Sequence, residues 1–152
     1  RRLLEALPQV DTHPEDVGLL LVGRGHTGTA ASTVGRQTQE YNFQRRVRQA
    51  LVRAGFPESR VVIGSLRAEP RVAEALQTLI GEGCKAVFWM PSTYSADGIS
   101  TLYDIPAEIE PVARNNNVKL IALGGWNADD LAAEEIASRV REVSGAPARR
   151  SL

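Results

Sequence analysis

Val17-Gly18-Leu19-Leu20-Leu21-Val22 is an almost uninterrupted apolar run, closed by Gly23-Arg24-Gly25. Such a run fits a strand buried on both faces, as in a parallel sheet. Working outward, Val61-Val62-Ile63, Ala86-Val87-Phe88-Trp89-Met90 and Val118-Lys119-Leu120-Ile121-Ala122-Leu123 repeat the pattern. Each is about strand length and runs into turn residues.

The segments between these runs carry helical spacing. From Thr38 to Ala54, residues Phe43, Val47, Ala50, Leu51 and Ala54 recur every three or four positions. From Pro70 to Leu79, Val72, Ala75, Leu76 and Leu79 form one stripe, with Pro70 expected in the first turn and Gly81 and Gly83 ending it. Ile105, Ile109 and Val112 mark a third helix, with Asp104 as N-cap and Pro106 in its first turn. Leu131 to Val143 gives a fourth, capped by Asp129 or Asp130, and a short helix at Arg2 to Leu7 precedes the first strand. Strands alternating with helices predict an α/β fold, a flavodoxin-like four-stranded parallel sheet with helices on both faces. Right-handed crossovers favour the order 2-1-3-4. The expected organisation is an N-terminal helix and linker over 1–16, one lobe over 17–143 and a tail over 144–152.

That order places a ligand site where the winding reverses, outside the carboxyl ends of strands one and three. The two loops there are Gly23-Arg24-Gly25-His26-Thr27-Gly28-Thr29 and Pro91-Ser92-Thr93-Tyr94-Ser95-Ala96-Asp97-Gly98-Ile99-Ser100. Arg24 suits a carboxylate or phosphate, because guanidinium forms forked charged hydrogen bonds. His26 suits a metal or a proton near neutral pH. Asp97 and Ser100, each taken alone, read as turn or capping residues. Trp89 reads as core, Trp126 as bordering the cleft, Cys84 as structural and His13 as solvated. Gly23 to Gly28 matches G-x-G-x-x-G. A dinucleotide site needs a helix opening at the third glycine and an acidic residue about 20 positions on. Thr29 to Gly35 are poor helix formers and Arg48 and Arg53 occupy the acidic region, so that reading is set aside.

Composition narrows the classes. The 152 residues are 43% hydrophobic and 24% charged, as in one ordinary soluble domain. Lys+Arg and Asp+Glu both number 18, which argues against nucleic-acid or membrane-surface binding by a basic surplus. One cysteine excludes a disulfide within the chain and any multi-cysteine metal site, and two histidines exclude a three-histidine site. No apolar run approaches the ~20 residues of a membrane span, and no signal-peptide pattern opens the chain. A cytoplasmic location is expected. The start at Arg1 and the end in Gly145-Ala146-Pro147-Ala148-Arg149-Arg150-Ser151-Leu152 read as part of a longer polypeptide or a trimmed chain.

Taken together, the loops resemble the CbiX/SirB-type class II chelatases, small enzymes that insert cobalt or iron into sirohydrochlorin. Leu21-Val22-Gly23-Arg24-Gly25 stands where that family has L-V-G-H-G, and Ala68-Glu69-Pro70-Arg71-Val72-Ala73-Glu74-Ala75-Leu76 is similar to its A-E-P-x-x-x-E-A-L segment. Val87-Phe88-Trp89-Met90-Pro91 resembles its third strand, and Asp104-Ile105-Pro106 its D-I-P helix start. The resemblance spans roughly Val17 to Val143. Two departures stand out. The strand-one histidine is Arg24 here, and the second histidine, four residues before D-I-P, falls on Ser100. The chain is most similar to the second lobe of two-lobe members, which often reads V-G-R-G where the first reads V-G-H-G.

The resemblance implies a chelatase-like lobe that takes part in inserting a divalent metal, Co2+ or Fe2+ (or nickel), into a sirohydrochlorin-like tetrapyrrole. The metal is then a substrate, with no permanently bound cofactor. The implied partner is a second lobe, in the same polypeptide or in a homodimer, with no nucleic acid or membrane. Arg24, Gly25, Ser92, Thr93 and Tyr94 would bind the tetrapyrrole. His26, Asp97 and Ser100 are the catalytic candidates, and His26 is the candidate metal ligand. The alternative is a non-catalytic lobe that binds tetrapyrrole or metal, or only completes a two-lobe enzyme.

Overall fold

A computed structural model describes residues 2–10, 13–27, 31–127 and 129–145. Gly28 and Thr29 of the glycine-rich loop, and the tail from Ala146 onward, lie outside the described residues. The strands are β1 (Val17–Gly23), β2 (Val61–Ser65), β3 (Ala86–Pro91) and β4 (Lys119–Ala122). They pair in parallel in the order β2-β1-β3-β4, as the alternating pattern predicts. The helices are α1 (Arg2–Ala6), α2 (Ala31–Arg53), α3 (Val72–Gly81), α4 (Ile105–Asn115) and α5 (Asp130–Ser144).

All seven residues of β1 are buried, and both of its edges are hydrogen-bonded to neighbours. Its side chains alternate between two cores, as the twofold period of a strand requires. Leu20 and Val22 face α3 and α4, meeting Val72, Leu76, Leu79, Ile105 and Ile109. Leu19 and Leu21 face the other way with Phe88 and Ile121, where Ala6 of α1 and Val47 and Leu51 of α2 pack. Trp89 and Cys84 both belong to the first core. Burial pushes the Cys84 thiol above its ordinary range, with Arg60 acting against that rise. No helix among the described residues is long and apolar enough to cross a membrane.

Three local expectations are corrected. Helix α2 begins at Ala31, seven residues before Thr38, and takes in Gly35. Once a packed segment nucleates a helix, each added residue gains a backbone bond, so weak formers are carried along. The Thr38 hydroxyl donates to the Val34 carbonyl in this stretch. The helix requirement therefore does not weigh against a dinucleotide site. The acidic requirement still does, because β2 ends at Ser65. Pro70 is not in the first turn of α3. Its carbonyl accepts from Ser65 N at 2.9 Å, which ties it to the end of β2, and Arg71, extended and bridged to Ser65, is the N-cap. Asp104 is helical and makes no capping bond, because a π-helical turn over Ser100–Asp104 already leads into α4. Its carboxylate accepts from Ser100 Oγ at 3.0 Å instead. Asp129 does cap α5, accepting from Leu131 N at 3.0 Å and Ala132 N at 3.4 Å.

Close packing of α3 on β2 depends on Gly64. A Cβ there would lie 2.8 Å from Ala75 Cβ and 3.0 Å from Val72 Cα, both fixed by the helix. Gly64→Ala is expected to destabilise the fold by about 1–3 kcal/mol through overpacking. The measurement is the midpoint of urea unfolding, which should fall with little change in slope.

Candidate functional site

The site lies beyond the carboxyl ends of β1 and β3, and a side chain from α2 organises it. Glu40, about 10% exposed, reaches back over the end of β1. Its Oε1 accepts from Arg24 N at 2.6 Å, from Gly25 N at 3.2 Å and from Thr93 Oγ1 at 2.9 Å. Its Oε2 lies 3.5 Å from His26 Nε2. One carboxylate thus ties together the helix, the loop after β1 and the loop after β3. Gly23 permits the approach, because a Cβ there would sit 2.6 Å from Glu40 Oε1 and 2.7 Å from Gln44 Nε2. Gly25 has φ +69°, a conformation glycine adopts at little cost. Beneath Glu40, buried Gln44 donates to Ser92 Oγ at 3.1 Å, and Ser92 donates to the Val22 carbonyl at 3.1 Å.

A cavity of about 520 Å³, within the range of small-molecule sites, opens against this cluster. Arg24, His26, Ser92, Thr93 and Tyr94 all line it, so five of the residues singled out in the sequence share one surface. Glu40, Phe43 and Trp126 complete its working wall. Gly25 does not line it: with its N–H committed to Glu40, it lines another cavity with Ser65 and Ala68. Burial is the main cause holding the Tyr94 hydroxyl above its ordinary range. Glu40 adds to that rise, while Arg24, Arg67 and Ser100 oppose it.

Asp97 and Ser100 stand apart from this cavity. Asp97 Oδ1 accepts from Gly125 N at 2.8 Å, and its Oδ2 accepts from Asn127 Nδ2 at 2.6 Å. The Asp97 N–H donates to Asn127 Oδ1 at 2.8 Å. Asp97 therefore fastens the loop after β3 to the loop after β4, and it lines a separate cavity with Gly124 and Leu102. Ser100 Oγ is directed to Asp104. Among the described residues no three or more His, Cys, Asp or Glu side chains gather as a metal site.

Sequence reasoning does not single out Glu40, because a glutamate on a helix reads as solvated surface. With the helix begun at Ala31, Arg36, Glu40 and Phe43 fall at spacings of four and three on one face. That stripe lies at the end nearest the predicted loops, and it was the available signal. Phe43, which the helical spacing groups with Val47 and Leu51, is 36% exposed and lines the cavity.

No protein-family model and no curated protein matches the sequence. Two solved structures share the fold. One is a protein of Marinobacter aquaeolei VT8, provisionally designated a cobalamin (vitamin B12) biosynthesis CbiX protein. It superposes at TM-score 0.63 with 17% identity over 86% of this chain and 99% of its own. The other is the sirohydrochlorin chelatase SirB of Bacillus subtilis subspecies spizizenii, in complex with cobalt. It superposes at TM-score 0.65 with 17% identity over 84% of this chain and 50% of its own. This chain therefore has the α/β fold of those two structures, and its match spans half of the SirB chain.

The donors that converge on Glu40 make a direct prediction. In Glu40→Ala the Gly25 amide loses its acceptor and the Arg24 amide keeps only Thr93 Oγ1, at 3.2 Å, so both proton resonances should move upfield in a 1H–15N spectrum, Gly25 the more, while those of β4 stay in place. Stability should fall by about 1–3 kcal/mol, the usual cost of orphaning such donors.

Proposed function

We propose that the chain is a chelatase-type lobe that binds a sirohydrochlorin-like tetrapyrrole and takes part in inserting a divalent metal, cobalt or iron. The observation that supports this best is a single cavity bringing together the Arg24 guanidinium and the Glu40–His26 pair at 3.5 Å. The chelatase fold of the two solved structures adds to it.

Metal insertion exchanges two pyrrole N–H protons for one divalent ion. The site needs two proton acceptors and an open approach for the metal. Glu40 Oε2 and the His26 imidazole supply acceptors of the right type, and both are ordinary ligands for a divalent metal. With only these two from the protein, the macrocycle nitrogens fill further positions as the metal passes across. Arg24 is excluded from proton acceptance, because guanidinium stays protonated and has no available lone pair. Its role is to hold a rim carboxylate. Ser92, Thr93 and Tyr94 form the floor of the cavity, and Asp97 and Ser100 take no part in proton transfer. A second lobe, from the same polypeptide or a partner copy, closes the open side of the cavity.

One observation favours the second reading, a lobe that binds but does not insert. Ser100, where the resemblance expects an imidazole, has its hydroxyl directed to Asp104. The two readings separate on conservative variants, tested with sirohydrochlorin and cobalt(II) by absorbance. Arg24→Ala should weaken tetrapyrrole binding at least about tenfold, as expected for loss of a charged hydrogen bond. Glu40→Gln keeps an acceptor for the loop N–H groups but not a base. It should slow insertion on the order of a hundredfold with little change in tetrapyrrole affinity. Unaltered binding in Arg24→Ala would contradict the clamp. Tetrapyrrole binding with insertion at the no-protein rate would leave the binding-only lobe.

A further inference from the structure

The cavity carries a feature that neither proton transfer nor carboxylate binding requires. Phe43 of α2 and Trp126 of the loop after β4 bring their rings to a centroid distance of 5.8 Å at 46°. Both rings line the same cavity as Arg24, Arg36, Glu40 and His26. Arg36 and Phe43 lie seven residues apart, two turns along one face of α2, so a second cation stands on the aromatic side. A site for a small aliphatic acid or a phosphate needs cations and N–H donors, not paired rings. Aromatic faces gain most from a flat, conjugated partner, through offset or tilted ring contact.

Trp126 stands in a loop held by hydrogen bonds. Its loop is fastened by Asp97, which receives Gly125 N on one side of Trp126 and Asn127 Nδ2 on the other. Asn127 N donates to the Ser95 carbonyl at 2.8 Å, adding a further tie. Gly125 lets the two loops meet closely, because a Cβ there would lie 3.1 Å from Ala96 C and Asp97 N. The residue flanked by these bonds on both sides is Trp126.

We propose that Phe43 and Trp126 form a stacking wall that selects planar, conjugated polyanions at this cavity, with Asp97 as the positioning residue for Trp126. In identifying the natural ligand as a tetrapyrrole the proposal rests on the chelatase-lobe reading; the wall itself does not. Arg24 and Arg36 meet rim carboxylates while the rings meet the macrocycle face. The selection is for flatness, which the cations alone do not provide.

The test compares three probes on the whole chain: sirohydrochlorin, pyrenetetrasulfonate (planar, but no tetrapyrrole) and butanetetracarboxylate (aliphatic). Kd is measured by absorbance for the first two and by calorimetry for the third. Trp126→Leu and Phe43→Leu should each weaken both planar probes about three- to tenfold, the range of an aromatic pair. Binding of the aliphatic probe should not change. Asp97→Ala should give the same probe-selective loss, and Asp97→Asn, which keeps an acceptor for Gly125 N, should restore most of the planar binding. Phe43→Leu, at a partly exposed helix position, serves as the variant if Trp126→Leu fails to fold. Equal loss for planar and aliphatic probes, or no loss for either, overturns the wall. Ring-dependent binding of pyrenetetrasulfonate without any binding of sirohydrochlorin overturns the tetrapyrrole reading and keeps the wall. Binding of none of the three by the wild-type chain overturns both.

Discussion

Strand β1 is buried on both faces and paired on both edges, and the rest of the molecule is arranged around that constraint. A strand in that position leaves the chain no route to its parallel neighbours except crossovers above and below the sheet. The crossover through α2 carries the chain to β2 on one side, and the crossover through α3 returns it to β3 on the other. The winding reverses at β1 and β3, so their loops part and leave an opening at the carboxyl edge. Glu40 then exploits the opening. It enters from α2, lies over the bare backbone of Gly23 and gathers the Arg24 and Gly25 amides and the Thr93 hydroxyl on one oxygen. Its other oxygen is turned to His26. The position of the functional groups is thus a consequence of how the central strand is buried.

The chemistry at that edge divides by residue type. Arginine keeps its charge at any physiological pH and offers donors only, so Arg24 is suited to binding an anion and not to exchanging protons. Carboxylate and imidazole exchange both protons and metals. With an arginine directly after β1, the candidate exchanging groups come from one helix turn and from two residues further along the loop, at Glu40 and His26. In the proposed reading, carboxylate binding, proton acceptance and ring contact fall on separate side chains, supplied by α2, by the loop after β1 and by the loop after β4. Loops on a rigid sheet edge are well suited to such a division, because each can be tuned without disturbing the core.

Most of the architecture was legible because burial leaves a strong signature in sequence. The unbroken run from Val17 to Val22 and the stripe Val72, Ala75, Leu76, Leu79 are patterns that water alone enforces, and all of these residues are buried. What stayed hidden depends on tertiary contact. The start of α2 could not be read from Ala31 to Gly35, whose helix is carried by its packed C-terminal half. The place of Pro70 ahead of α3 is set by its carbonyl's bond to Ser65 N at the end of β2, a partner that helical spacing does not show. Within the site, the topology located Arg24, His26, Ser92, Thr93 and Tyr94 on one cavity. It gave Asp97 the wrong surroundings, because the Gly125 and Asn127 partners lie in another loop. Glu40 went unseen for a related reason. A glutamate on a helix reads as solvated surface until the helix is known to end over a strand terminus.

The claim at the centre of this account is that the ligand sits at the carboxyl edge between the β1 and β3 loops. Hydrogen–deuterium exchange of the chain with and without saturating sirohydrochlorin tests it most directly. The account predicts new protection confined to Arg24–Thr27, Ser92–Asp97 and Gly125–Asn127, together with the α2 turns that bear Arg36 to Phe43. Protection centred instead on α3, α4 or the amino edge of the sheet, or none at saturation, would contradict it.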